Sequence, residues 1–443
     1  MRETMEDLRD VLRAGLEAAD PVLAVENSLS VTDGEMVVGD ERFPTDRLLV
    51  LSVGKAAGAM SEAASSLLSD IEHSGLVVTK YDHKPGPEAY ETLFATHPEP
   101  DEAGVEAARR VTEAVESLGE GGVLLALISG GASALLADPT PPVELSELKE
   151  LTTALLKSGA SIGEINCVRK HVSTLKGGGL VELAAPARTL ALLLSDVVGD
   201  SLSSIASGLS APDPTTLEQA RSILRSYRIE PPDSIARLLK EAKETPKEGD
   251  EIFDGVTNIL CGSGRVSVEA AANKCEELGY APLILSTSVT GDCRGIASVY
   301  GAVIREVFES GRPLAAPCAI ISGGEATVTV RGDGVGGPNQ EFSLALALEL
   351  DGVPGWAAFA VDTDGNDGPT DAAGGLVDGE TAGRMREAGI DIEEVLASND
   401  SQAALRTADA LVKTGPTGTN VNDLRVALVS GSRRSRPLAG NAM

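Results

Sequence analysis

Residues able to bind anions and to move protons stand directly after short apolar runs of the sequence. The most informative are Lys55, Ser129-Gly130-Gly131, Asp196, Ser322-Gly323-Gly324-Glu325 and Asp362-Thr363-Asp364. A lysine can neutralise a phosphate or carboxylate, and glycines let backbone N–H groups point at an anion. A carboxylate can hold a cation or accept a proton. The combination suits anion binding, a metal ion and proton transfer, and it does not suit a purely apolar ligand.

Each of these motifs also has a purely structural interpretation. Lys55 could be a solvated surface lysine, although it opens a predicted helix, where a cation is unfavourable. Ser129-Gly130-Gly131 could be a tight turn that needs a positive φ. Arg169, Lys170, His171 and Lys176 form a local basic patch that suits phosphate or carboxylate recognition, but they could equally pair with nearby acids. His171 has no partner at metal-ligand spacing.

Two acidic loops are candidate cation sites. Asp196 and Asp200 precede a Pro-rich segment, 207–216, and strand-end carboxylates commonly hold Mg²⁺. Asx-turn and capping chemistry is the alternative. The loop 362–371 carries four aspartates, but it lacks the terminal Glu that a calcium loop requires.

A glycine-rich segment, 331–341, matches the dinucleotide pattern G-x-G-x-x-G through Gly332, Gly334 and Gly337. The pattern also requires a carboxylate after the next strand, whereas Asp351 falls at a turn. The predicted strand ATVTV before the glycines alternates instead of being wholly apolar. The sequence therefore favours a loop that cradles phosphate over an NAD(H) site.

The elements that must position these residues alternate along the chain as strand, turn and helix. The predicted strands include 48–53, 76–79, 123–128, 190–194, 257–261, 282–285, 318–321 and 356–361. Short apolar strands that alternate with helices predict an α/β fold with a parallel sheet covered on both faces. Ligands of such sheets bind outside the carboxyl ends of the strands. The polar segment 243–251 predicts a boundary near residue 250, with domains 1–250 and 251–443.

The composition excludes several classes of protein. Asp and Glu number 67 against 37 Lys and Arg, so the net charge of −30 argues against nucleic-acid and anionic-membrane partners. The chain has only twelve lysines, and a composition that is acidic and poor in lysine predicts a cytoplasmic protein of a halophile. An acidic protein of a mesophile is the alternative. Five cysteines without a C-x-x-C pair indicate reduced thiols in a cytoplasmic protein. The sequence leaves open whether the protein forms a homo-oligomer.

Taken together, the motifs resemble the type-2 glycerate kinases, the family with a DUF4147 N-terminal domain and a MOFRL C-terminal domain. The matching strings include VGKAAGAM, SGGASALL, NCVRKHVSTLKGG, LLLSDVVGD, SGGEATVTVRGDGVGG, DGPTDAAGG and TGPTGTNVNDLRVALV, in the family's order over nearly the whole chain. The resemblance implies a Rossmann-like N-terminal domain, a smaller α/β C-terminal domain and an active site between them.

The resemblance implies active-site roles for Lys55, Ser129, Gly130, Gly131 and Asp196, and the loops described above supply the other candidates. Lys55, Asp196 and Asp364 are expected to be catalytic, and Asp196 is also the expected ligand of a metal. The expected substrate- or phosphate-binding residues are Ser129, Gly130, Gly131, Ser133, Arg169 and Lys170. The expected nucleotide-binding residues are Ser322, Gly323, Gly324, Glu325, Gly336, Gly337, Asn339, Gln340 and Glu341. The family usually has an arginine where this chain has Pro338, and Arg331 or Arg169 are the candidates to replace its charge.

The expected activity is the ATP- and Mg²⁺-dependent phosphorylation of D-glycerate to 2-phospho-D-glycerate. Some members of the family carry the name hydroxypyruvate reductase, so an NADH-dependent reductase is the first alternative. A non-catalytic protein that binds organic acids is the second.

Overall fold

The computed structural model describes residues 2–430 and divides the chain into two compact units. The first unit is Pro21–Ser263. The second combines the N-terminal residues, including helix α1 (Arg2–Glu17), with the chain from Gly264 onward. This division differs from the predicted boundary near 250, because the strand that follows residue 250 pairs within the first unit's sheet.

The first unit is built on a parallel sheet of six strands in the order β6-β5-β4-β7-β8-β9. The unit starts with α2 (Pro21–Ser28) and a small antiparallel sheet of β1 (Ser30–Thr32), β2 (Glu35–Val38) and β3 (Glu41–Phe43). The main strands are β4 (Leu48–Val53), β5 (His73–Lys80), β6 (Glu91–Ala95), β7 (Val123–Ile128), β8 (Arg188–Leu194) and β9 (Val256–Gly262). Its remaining helices are α3 (Ala57–Leu67), α4 (Glu102–Glu116), α5 (Ala132–Leu135), α6 (Leu145–Ser158), α7 (Ile162–Lys170), α8 (Gly179–Ala184), α9 (Leu217–Ser226) and α10 (Asp233–Glu241).

The centre of this sheet is apolar on both faces. Every residue of β4 and β7 is buried, and both strands read as continuous apolar runs apart from Ser52. Such runs are expected in a parallel sheet that helices cover on both sides. The register pairs Val53 with Val78 on β5 and with Ile128 on β7, so these strands reach the carboxyl edge of the sheet at one level.

The second unit contains a mixed sheet in the order β10-β11-β15-β12-β13-β14. Its strands are β10 (Ala281–Asp292), β11 (Cys318–Thr327), β12 (Trp356–Asp362), β13 (Gly374–Asp378), β14 (Leu411–Val412) and β15 (Asp423–Val429). Its helices after α1 are α11 (Gly264–Glu277), α12 (Cys293–Ser310), α13 (Pro338–Glu349), α14 (Thr381–Glu387), α15 (Ile392–Ser398) and α16 (Ser401–Thr407). Only β10 and β11 run parallel, and the other pairs are antiparallel. No helix within residues 2–430 is both long and apolar enough to cross a membrane.

Candidate functional site

The first unit's sheet reverses its strand order between β4 and β7. From β4 the chain adds β5 and β6 on one side, and it then returns to add β7, β8 and β9 on the other. The loops after β4 and β7 therefore leave in opposite directions and open a crevice at the carboxyl edge, which is where open α/β sheets bind ligands. Lys55 and Ser129-Gly130-Gly131 stand at this switch point, and Asp196 follows the next strand, β8.

Close contacts of two glycines bring these residues together. A Cβ atom on Gly130 would lie 2.0 Å from Oδ2 of Asp196, so the carboxylate rests against the backbone where only glycine fits. Gly131 has a φ of +89°, and a Cβ there would lie 3.3 Å from both Cγ of Lys55 and Cδ2 of His97. The backbone N–H of Lys55 donates to the carbonyl of Gly130 at 2.9 Å.

Ser129 contributes to this arrangement by shaping the turn, with its side chain buried. Its hydroxyl oxygen accepts a hydrogen bond from the backbone N–H of Ala56 at 3.1 Å, which fixes the start of α3. Ser133 stands in the next turn, and its hydroxyl lies 2.7 Å from the hydroxyl of Ser207. Ser129 thus holds the loop that carries Lys55, whereas Ser133 lines the cavity described next.

A cavity of about 390 Å³ lies beside the switch point. Its polar lining comes from several loops and helices and includes His97, Ser133, Asp138, Asn166, Arg169, Ser173, Lys176, Asp196 and Ser204. Burial raises the pKa of Asp196, and the charge of Lys55 partly opposes this rise. A partly buried carboxylate with a raised pKa near a cation is a typical candidate for proton transfer.

The basic patch at 166–178 separates into different roles. Arg169 lines the cavity and donates through Nη2 to the carbonyl of Ser133 at 3.0 Å. Lys170 turns away and forms a buried ion pair with Asp213 at 3.1 Å. Lys176 is buried, forms an ion pair with Asp138 and donates to the carbonyl of Leu136 at 2.8 Å. Consecutive helical residues point about 100° apart, so Arg169 and Lys170 cannot both face the cavity.

Three residues at or near the site were not predicted from the sequence. His97 and Asn166 line the cavity, and Lys80 is close enough to His97 to lower its pKa. Lys80 ends β5, and His97 follows β6 by two residues. The strand β6 has only one fully buried residue, Ala95, so its sequence lacks the apolar signal that marks its neighbours. A lysine at the end of the predicted strand 76–79 was the one available clue.

In the second unit, Ser322, Gly323, Gly324 and Glu325 lie inside β11, although the sequence analysis placed them in a loop after it. The hydroxyl of Ser322 is buried and accepts from the Tyr300 hydroxyl at 2.7 Å. A Cβ on Gly324 would lie 2.1 Å from the carbonyl oxygen of Val289, so this glycine allows β10 to approach closely. The motif therefore shapes the sheet.

The glycine-rich loop before α13 packs against the chain at the start of α16. A Cβ on Gly334 would lie 2.6 Å from Asp400, and one on Gly336 would lie 2.1 Å from Oγ of Ser401. A Cβ on Gly337 would lie 2.4 Å from Asp367. These contacts explain the glycines by close packing.

The side chains of Asn339, Gln340 and Glu341 are buried in hydrogen-bond networks of their own unit. Asp367 accepts from the backbone N–H groups of Asn339 at 3.0 Å and of Gln340 at 2.8 Å, so it caps α13. Glu341 pairs with Arg294 at 2.7 Å and accepts from Nδ2 of Asn399 at 2.9 Å. Pro338, in place of the expected arginine, starts the helix, a position that suits proline.

Asp364 is partly buried beside other carboxylates. Its backbone N–H donates to Asp362 at 3.0 Å, and its own carboxylate accepts from the N–H of Asn366 at 2.8 Å. Burial and the charges of Asp364, Asp423 and Asp367 raise the pKa of Asp362 to about 8. Burial raises the pKa of Asp367 to about 6. Within residues 2–430, no three His, Cys, Asp or Glu side chains are grouped to hold a metal ion.

Comparison with known proteins agrees with this architecture. Residues 7–240 match a family described as a domain of unknown function, DUF4147, and residues 318–423 match the MOFRL family. A D-glycerate 2-kinase from Thermotoga maritima is 42% identical over 421 residues, which cover 95% of this chain and 97% of that protein. The chain belongs to the type-2 glycerate kinase family.

A crystal structure and a second relative, both similar to this member of the glycerate kinase family, extend the comparison. A crystal structure of glycerate kinase from Thermotoga maritima superposes with a TM-score of 0.89 at 41% identity, covering 97% of this chain and all of that one. A protein from Agrobacterium vitis named as a candidate hydroxypyruvate reductase is 42% identical over 424 residues, 95% of this chain and 94% of its own length. The family therefore includes proteins with two different names for their reaction.

Proposed function

We propose that the protein transfers a phosphoryl group from ATP to the 2-hydroxyl of D-glycerate. The observation that carries the proposal is the partly buried Asp196 carboxylate at the carboxyl edge of the parallel sheet, which lies near the cation Lys55 and lines one cavity with Arg169. This set provides a proton acceptor and two positive charges for anionic reactants. The relatives named as glycerate kinases support the same reaction.

In the proposed mechanism, the side chains position the reactants and stabilise charge. Arg169 binds the carboxylate of glycerate, because its guanidinium reaches the cavity without a carboxylate partner within residues 2–430. Asp196 accepts the proton of the 2-hydroxyl as this oxygen attacks the terminal phosphorus of the nucleotide. Lys55 stabilises the negative charge that moves with the phosphoryl group. The products are 2-phosphoglycerate and ADP.

Magnesium enters as part of the nucleotide substrate. Mg²⁺ in phosphoryl-transfer sites usually takes one or two carboxylates and fills its remaining positions with phosphate oxygens and water. A single carboxylate such as Asp196, exposed to a polar cavity, fits that requirement. Bound Mg²⁺ would neutralise phosphate charge. Asp196 would be its protein ligand as the alternative to serving as the proton acceptor.

The hydroxypyruvate reductase alternative needs a site for a nicotinamide dinucleotide. The G-x-G-x-x-G segment is the sequence's candidate, but Gly334 and Gly337 are packed against Asp400 and Asp367. The segment also precedes a helix whose N-terminus Asp367 already caps. We therefore favour the kinase. We also propose the cytoplasm as its location, because five unpaired cysteines suit a reducing compartment.

A paired assay tests the proposal. The purified protein is mixed with D-glycerate, ATP and Mg²⁺, and separately with hydroxypyruvate and NADH. We expect ADP formation in the first mixture only, with ³¹P NMR identifying 2-phosphoglycerate. NADH oxidation without ADP formation would replace the kinase with the reductase. Binding of glycerate without turnover in either mixture would identify a non-catalytic binding protein.

A further inference from the structure

The carboxyl edge of the first unit's sheet carries more basic groups than the reaction above uses. β5 and β6 lie next to β4 in the sheet, and Lys80 at the end of β5 pairs in register with Ala95 of β6. The loops that follow these three strands therefore bring Lys55, Lys80 and His97 to one edge. Two hydrogen bonds tie the loop after β4 to the end of β5: the N–H of Gly54 donates to the carbonyl of Val78, and the hydroxyl of Thr79 donates to the carbonyl of Gly54, each at 3.0 Å.

The two lysines of this edge, Lys55 and Lys80, form no direct ion pair in the described part of the chain, although the charge of Lys55 acts on nearby Asp196. Lys84, only four residues further on, does form one with Glu62 on the surface. Exposed lysines such as Lys240 also have no ion pair within residues 2–430, so the placement of Lys55 and Lys80 is the evidence. Both are partly buried and follow or end neighbouring strands at the edge where parallel sheets bind ligands, which indicates a site for an external anion.

Lys55 and His97 both pack against Gly131, where a Cβ atom would lie 3.3 Å from Cγ of Lys55 and from Cδ2 of His97. Burial, Lys55, Lys80 and His83 together lower the pKa of His97 to about 4. Burial and the same two lysines also lower the pKa of His83, against a smaller opposing effect of Asp82. Both imidazoles are therefore neutral at pH 7. A neutral imidazole can donate a hydrogen bond, and an anion bound beside it would favour its protonation.

We propose that Lys80 and His97 form, together with Lys55, a phosphate subsite that holds the nucleotide's phosphate chain. The inference deepens the proposed kinase function and rests on it for the identity of the phosphate donor. Cγ of Lys55 packs against Gly131, and its charge acts on the Asp196 carboxylate, so we place Lys55 nearest the transferred phosphoryl group. Lys80, one strand further from the switch point, is placed for the phosphates that stay on the leaving nucleotide. Lys80 is thus a binding residue and leaves the proton transfer to Asp196.

The test uses inorganic pyrophosphate as a probe, because it contains only the chemistry that the subsite recognises. Its affinity is measured by calorimetry for the wild type, Lys80→Gln, Lys80→Arg and the matched control Lys84→Gln. We expect Lys80→Gln to weaken pyrophosphate binding about tenfold or more, the loss typical of one charge-assisted hydrogen bond. Lys80→Arg should retain most of the affinity, and Lys84→Gln should match the wild type.

Two further measurements separate this inference from the kinase proposal. The chain has only four histidines, so the C2–H proton of His97 can be assigned by NMR with a His97→Asn variant, and its pKa should rise when pyrophosphate binds. In the kinase assay, Lys80→Gln should raise the KM for ATP about tenfold with a much smaller change in kcat. Equal pyrophosphate affinity of wild type and Lys80→Gln, or an unchanged His97 pKa, overturns the subsite even if the kinase is active. Pyrophosphate binding that depends on Lys80 in a protein without kinase activity would instead refute the proposed function alone.

Discussion

The carboxylates at the end of β12 should lower the stability of the second unit at neutral pH, and Asp362→Asn should restore it. The raised pKa of Asp362 means that this partly buried carboxyl takes up a proton on folding at pH 7, whereas in the unfolded chain it is ionised. Protonating a group of ordinary pKa about 3.9 at pH 7 costs at most about 4 kcal/mol. Because neighbouring Asp364 and Asp423 can adjust, we expect about 2 kcal/mol of stabilisation. For a unit of this size that equals roughly 4–8 °C in Tm.

The effect of Asp362→Asn on Tm should depend on pH. A carboxyl whose folded pKa is raised favours folding below its unfolded pKa, and this advantage is lost as the pH rises through the folded pKa. The difference in Tm between Asp362→Asn and wild type should therefore be small at pH 4, grow between pH 4 and 8, and level off above. Asn keeps an oxygen that can accept the 3.0 Å hydrogen bond from the N–H of Asp364. The substitution should therefore change charge with little change in shape.

Asp371→Asn is the matched control in the same loop region. Asp371 is exposed, and its hydrogen bond with Lys413 lowers its pKa, so its removal should leave Tm unchanged or slightly lower. Thermal unfolding of the three proteins from pH 4 to 9 completes the experiment. A lower Tm for Asp362→Asn at pH 7, or a Tm difference from wild type that does not depend on pH, would show that the charge of Asp362 does not destabilise the folded protein.

Three further predictions concern catalysis and the acidic composition. Lys55→Ala should lower kcat about 100-fold or more, which is the loss typical of one preorganised charge-stabilising group. Lys240 is exposed, so Lys240→Ala should leave kcat unchanged. An unchanged kcat in a folded Lys55→Ala variant would remove Lys55 from the mechanism. Asp196→Asn should nearly abolish turnover, and it should raise Tm at pH 7, because burial raises the pKa of Asp196. If excess Mg²⁺ restores activity to the variant, Asp196 is a metal ligand. If it does not, Asp196 is the base. Raising KCl from 0.05 to 3 M should raise Tm and the initial rate together, since screening reduces the repulsion within a chain of net charge −30; a flat Tm with a falling rate would refute the halophilic interpretation.

The sequence predicted the first unit's fold well because its central strands are buried on both faces. β4 and β7 were predicted with their observed bounds, since continuous apolar runs bordered by glycine have few other interpretations. The residues after those strands were then expected to meet at one edge, and Lys55, Gly130, Gly131 and Asp196 do so. The strand ends and the site residues could be predicted together, because the residues that follow parallel strands lie at the edge of the sheet where ligands bind.

Prediction was weaker where one motif serves two physical purposes. Ser322-Gly323-Gly324 looks like Ser129-Gly130-Gly131, but the first continues a strand and the second ends one. Glycine permits both a turn with positive φ and the close approach of another backbone. Only the three-dimensional contacts, with Val289 in one case and with Asp196 in the other, separate the two uses.

The lysines show why rarity alone does not identify a site. Lys55, Lys80, Lys170 and Lys176 are all scarce cations near polar loops, so the sequence cannot rank them. The structure pairs Lys170 with Asp213 and Lys176 with Asp138, both out of solvent, where the ammonium stabilises a buried carboxylate. Such pairs hold the loops around the cavity and have no charge left for a ligand. Within residues 2–430, Lys55 and Lys80 form no ion pair, although the charge of Lys55 acts on Asp196. Both lysines lie at the edge where parallel sheets bind ligands, so their ammonium groups are available to a phosphate.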